Sequence, residues 1–101
     1  MKYPNVLFAL AIVAPGLATS AFAYTGEKLA ASAKVSMEHA TDIALKARPG
    51  KITDKELERE KGGSGLRYSF DVLSKGITYE VGVDAQTGAV LENMREGAHA
   101  D

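Results

Sequence analysis

The chain has 101 residues, with 12 Lys and Arg against 13 Asp and Glu, a formal net charge of −1. This balance argues against a nucleic-acid surface, which needs a basic excess. The sequence contains no cysteine, which rules out a disulfide framework, a thiol nucleophile and a cysteine-based zinc site.

The N-terminus reads as a secretory leader. Lys2 precedes the apolar run Val6 to Ala14, Pro15-Gly16 breaks it, and Ala21-Phe22-Ala23 supplies the small-residue pattern of a cleavage site between Ala23 and Tyr24. The apolar run is far short of the ~20 residues that span a bilayer, so no membrane anchor is expected after cleavage. Removing residues 1–23 takes away Lys2 alone among the charged residues, and the remaining 78 carry a formal charge of −2. Export without cysteine fits a periplasm first and an open extracellular medium second. A single domain of this size buries only about 60% of its unfolded surface, so its stability must rest on one sheet-and-helix core.

Residues 24–34 are small and polar and read as a flexible lead-in or a frayed extra turn. In the next segment Ala40, Ile43, Ala44 and Ala47 recur at i, i+3, i+4 and i+7, with Glu38, His39, Asp42 and Lys46 largely off that stripe. This predicts an amphipathic helix from Ser36 to Ala47, capped by Ser36, with Val35 placed to start a hydrophobic staple. Pro49 stops it. His39 with Asp42 or Glu38 reads as part of a solvated helix face.

Lys51 to Lys61 is charged, and its Ile52 and Leu57 lie five apart, which gives no helical stripe. An edge strand is predicted, with either a bulge between these two residues or Ile52 packed on the helix end before the strand begins. Gly62-Gly63-Ser64-Gly65 is then a flexible turn. It lacks the second glycine of a nucleophile elbow, because position 66 is Leu66.

From Tyr68 to Leu91 the pattern alternates. Tyr68, Phe70 and Val72 share one face of a strand, and Ile77, Tyr79, Val81 and Val83 share one face of the next. Even-numbered core residues facing odd-numbered ones require an odd sum for opposed pairs. A two-residue turn at Lys75-Gly76 then sets the sum at 151, pairing Val72 with Tyr79, Phe70 with Val81 and Tyr68 with Val83. The turn Asp84-Ala85-Gln86-Thr87-Gly88 places Asp84 to hydrogen-bond its own backbone and Gly88 where φ is positive, before a short last strand from about Ala89 to Met94. Either Val90 or Leu91 could face inward. Residues 96–101 read as a disordered tail.

No Ser-His-Asp arrangement, H-E-x-x-H motif, phosphate loop or zinc spacing is present, so no catalytic residue and no organic cofactor are assigned. The residues that could bind an ion are carboxylates. The register opposes Asp71 to Glu80, and pairing the charged strand with a sum of 127 across a six-residue turn sets Glu56 beside Asp71. Three acids in a row repel unless solvated, offset by lysines or bridged by a hard cation such as calcium or a lanthanide. The same register puts Arg67 between Glu60 and Asp84, a row that needs no ligand.

These residues resemble the PepSY family. The resemblance is carried by Ala40, Ile43, Ala44 and Leu45, by Pro49-Gly50, Glu56-Leu57-Glu58 and Gly62-Gly63, by Tyr68 to Val72, and most specifically by Tyr79-Glu80-Val81, Val83-Asp84-Ala85 and Thr87-Gly88. It runs from about Val35 to Met94, within a domain expected over residues 35–95. It implies an α+β fold, one N-terminal helix packed on an antiparallel three- to four-stranded meander, outside the cytoplasm. The same module occurs in propeptides of thermolysin-like metallopeptidases, where it is associated with inhibition. This chain departs in carrying no peptidase domain, so an inhibitory role would act on a separate exported peptidase. The family offers no catalytic residues to carry over. The expected function is a binding or regulatory module, with cation binding through Glu56, Asp71 and Glu80 as the alternative.

Overall fold

A computed structural model of the chain describes residues 23–98. The leader expected over residues 1–23 lies, but for Ala23, outside the described residues, as do the last three residues of the expected tail. A 3-10 helix (Glu27–Ser32) is followed by α1 (Met37–Ala47) and four strands, β1 (Lys51–Arg59), β2 (Leu66–Ser74), β3 (Ile77–Asp84) and β4 (Val90–Arg95). The strands form one antiparallel sheet in the order β1-β2-β3-β4, and α1 packs across β2, β3 and β4. This is the α+β meander that the alternation predicts.

Ser36 caps α1 by accepting a hydrogen bond from the His39 amide at 3.0 Å, which satisfies one of the free N–H groups of the first turn. Ala40 and Ala44 are fully buried. Their small side chains let the helix axis come close to a sheet face built from Leu57, Leu66, Tyr68, Phe70, Val72, Val81 and Val83. At the C-terminal end Arg48 stacks on the Tyr79 ring at 3.7 Å and its Nε donates to Asn93 Oδ1 at 3.1 Å. Asn93 in turn donates to the Ala47 carbonyl at 3.2 Å, tying the helix end to β4.

The β2–β3 pairing has the predicted register throughout, from Arg67 opposite Asp84 to Ser74 opposite Ile77. In β1 the pairing slips between Ile52 and Asp54, leaving Thr53 as the extra residue of a bulge. That bulge returns Ile52 to the core side with Leu57, as their five-residue spacing demands. The β1–β2 register differs from the expected one: Arg59 pairs with Leu66 and Glu56 with Ser69, a sum of 125 rather than 127. The reason is Leu66, which continues the even-numbered core series and is 3% exposed, so β2 starts there and the six-residue turn is 60–65. A second irregularity between Gly82 and Val83 accommodates Leu91, leaving Val90 opposite Val83 and 44% exposed.

The segment expected as a flexible lead-in is shaped and docked. Thr25 makes a parallel bridge to Glu56, the Leu57 amide donates to the Thr25 carbonyl at 2.9 Å, and Tyr24, Leu29, Ala30 and Ala33 pack on the core. After β4, Glu96 and Gly97 form a turn in which the Ala98 amide donates to Arg95 at 3.0 Å.

Candidate functional site

Two polar constructions stand out, one where the chain leaves β3 and one on the sheet face away from α1. The first is the turn after β3. Asp84 is 1% exposed, and its carboxylate collects four donors: the Ser64 amide at 2.7 Å, the Ser64 hydroxyl at 2.8 Å, the Gln86 amide at 2.8 Å and the Thr87 amide at 3.2 Å. Burial alone would raise its pKa, but these hydrogen bonds outweigh it and hold the group at about 2. Gly88 closes the turn with φ 83° and donates its amide to the Asp84 carbonyl at 2.8 Å, and the Thr87 hydroxyl accepts from the Ala89 amide at 3.2 Å. Next to it, the Ala85 carbonyl accepts the Lys34 and Val35 amides at 3.0 and 2.9 Å, and Tyr68 donates its hydroxyl to the Val35 carbonyl at 2.6 Å. One turn thereby fixes the glycine-rich turn on one side and the entry to α1 on the other. Its role is structural. The glycine-rich turn needs Gly63 there, at φ 54°, because a Cβ would run into the Asp84 carboxylate.

The second construction is the acidic sheet face. Asp71 on β2 stands opposite Asp54 on β1 and Glu80 on β3. The shifted register places Glu56 one row away, across from Ser69, so the three predicted acids do not form one row. Glu96, reached by the turn after β4, joins Asp71 and Glu80 instead: one carboxylate oxygen from each lies within 4.8 Å of the others. Sequence reasoning missed Glu96 because it follows the last strand, where no periodicity assigns a side chain to a face. Glu56 still belongs to the same surface, a groove of about 220 Å³ lined among others by Asp54, Glu56, Glu58, Asp71, Glu80 and Glu92.

Burial and crowding disfavour the ionised form of two of these acids. Burial, then Glu96, Glu80 and Asp54, push the Asp71 carboxyl above the usual range. Burial, then Glu58, Asp54, Asp71 and Glu60, do the same to Glu56. The cation set into this face is Arg67, which is 8% exposed and lies over Gly82, where a Cβ would come within 3.0 Å of its Cδ. The row expected to run Glu60, Arg67, Asp84 is altered by the register, with Glu58 opposite Arg67. The Arg67 guanidinium nonetheless reaches Glu60 at 3.6 Å and Glu92 at 3.3 Å, and donates to the Lys61 carbonyl at 3.0 Å. Asp84 is occupied by its own turn and by Ser64.

A helix on one face of a four-stranded antiparallel sheet, with a cluster of carboxylates on the other, defines a small α+β domain. The chain belongs to the PepSY family: residues 34–93 match the model described as peptidase propeptide and YPEB domain. No curated protein and no solved structure matches. Among the described residues no helix is long and apolar enough to cross a membrane.

Proposed function

We propose that this protein is an exported, non-catalytic module, acting in the periplasm after cleavage between Ala23 and Tyr24, that binds and restrains an exported peptidase. The observation that carries this reading is the family match over residues 34–93, on a sheet whose edge strands are β1 and β4, and strand addition at such an edge is a common mode of peptide recognition. A peptidase substrate cleft binds extended chain, and a sheet edge offers the same backbone hydrogen-bonding pattern. The test is to titrate a purified exported thermolysin-like metallopeptidase from the same source with the protein. Loss of peptidase activity near equimolar ratio, with co-elution of the pair, is the expected result. An unchanged rate at large excess without a complex overturns the reading.

A second reading rests on Asp71, Glu80 and Glu96. Two oxygens bound to one calcium-sized ion at 2.3–2.6 Å can be no more than about 5 Å apart, and the 4.8 Å spread of these carboxylates meets that limit. Glu56 stands at one remove. On this reading calcium or a trivalent lanthanide raises the melting temperature, and Asp71→Ala with Glu80→Ala abolishes the rise. No shift in the unmutated protein defeats it.

A further inference from the structure

The edge of β1 is already engaged by the chain itself. Thr25 bridges Glu56 in parallel orientation and accepts the Leu57 amide, so one residue of the N-terminal segment occupies the position an added strand would take. The engagement ends at once. Gly26 has φ 87°, and a Cβ there would overlap the Leu57 carbonyl, so the backbone turns away from β1 into the 3-10 helix. No residue of that helix is buried, and it is held by the half-buried Tyr24, Leu29 and Ala30 and by the Gln86 side chain, which donates to the Ser32 carbonyl at 2.6 Å. A segment bridged to β1 at one residue pair and otherwise held by half-buried contacts belongs with the parts of a fold that open locally before its sheet does.

In a parallel pairing opposed side chains share a face, so Thr25 stands with Glu56 on the acidic side while Tyr24 turns to the core side. Continuing the pairing backward puts position 23 level with Asp54. We propose that residues 24–32 are a displaceable guard on β1, and that the guarded edge accepts an extended peptide parallel to β1, with basic residues facing Asp54 and Glu56 and an apolar or aromatic residue between them in the place of Tyr24. The inference rests on the binding-module reading and adds to it the edge, the direction and the sequence pattern of the partner segment. The occupant is basic because Asp54, Glu56 and Glu58 all line the acidic groove beside that edge. A chain lacking glycine at the position of Gly26 would have to stay clear of the Leu57 carbonyl, so it would bind in plain extended geometry.

The experiment measures fluorescence anisotropy of a labelled peptide of alternating lysine and tyrosine, with a glutamate-for-lysine peptide as the control. Gly26→Val, which cannot seat the guard, should bind the lysine peptide about tenfold tighter than the parent, and the control peptide should bind neither protein. Leu29→Ala, which loosens the guard without a backbone overlap, should give a smaller gain of the same sign and protects the test if Gly26→Val fails to fold. Hydrogen exchange should show the Leu57 amide exposed in Gly26→Val and protected again by the lysine peptide. Equal affinities for parent and both variants, absence of binding, or protection appearing on β4 instead overturns the guard. Such a failure alongside intact inhibition of the peptidase leaves the binding-module reading standing, whereas loss of that inhibition strikes the reading itself.

Discussion

The Asp84 carboxylate joins the glycine-rich turn to the turn after β3. Two of its four donors come from Ser64, twenty residues earlier, and two from its own turn. Its pKa lies about two units below the ordinary 3.8, which corresponds to about 2 kcal/mol of stability. Because the folded-state value is depressed, that contribution is complete above the ordinary value and disappears as pH falls from about 4 through about 2. Asp84→Asn keeps one acceptor oxygen but turns an amide N–H toward a Ser64 donor. Urea denaturation at neutral pH should therefore show a loss on the order of 2–3 kcal/mol, and the gap between mutant and parent should close as the pH is lowered across that window. A constant gap at all pH values would mean that charge is not what Asp84 supplies.

At the scale of elements, the β2–β3 hairpin was legible because two independent features agree. The alternation fixes which side chains share a face, and Lys75-Gly76, with Lys75 at φ 52°, fixes where the chain turns. For β1 only the first feature was at hand. Sums of 125 and 127 both keep Leu57 on the core side, since they differ by two residues and a strand repeats every two. Leu66 decides between them, and it was readable as the first member of the even-numbered series. The error moved the candidate site: Glu56 left the row of Asp71, while Glu80, placed by the hairpin, kept its position. The lead-in was misjudged for a different reason. Its small polar composition has no intrinsic preference for docking, and what orders it is tertiary: the bond from Leu57 to Thr25 and the packing of Tyr24 and Leu29. Glu96 was invisible because a turn, not a strand, delivers it to the acidic face.

For the whole molecule, the two polar constructions oppose each other in their response to acid. Asp84 stabilises the fold when ionised. Asp71 and Glu56 do the reverse, because burial first and neighbouring carboxylates second raise their pKa values. A group with a raised folded-state value contributes stability that is complete below its unfolded value and is lost as pH rises through the folded one. From neutrality downward, protonation of Asp71 and Glu56 therefore strengthens the fold, until the pH falls below about 4 and Asp84 begins to lose its hold. The melting temperature should accordingly reach its maximum on the acid side of neutrality. Asp71→Asn removes one charge from between Asp54 and Glu80 while preserving the side chain's size. Relief of directly opposed like charges amounts to roughly 0.5–1 kcal/mol, so the variant should melt a few degrees above the parent at neutral pH. It should also gain less on mild acidification. Calorimetry in the presence of a chelator, so that no bound cation contributes, measures both. A variant that melts below the parent at neutral pH, with an undiminished gain on acidification, would show that the acidic face is not under the repulsion its geometry implies.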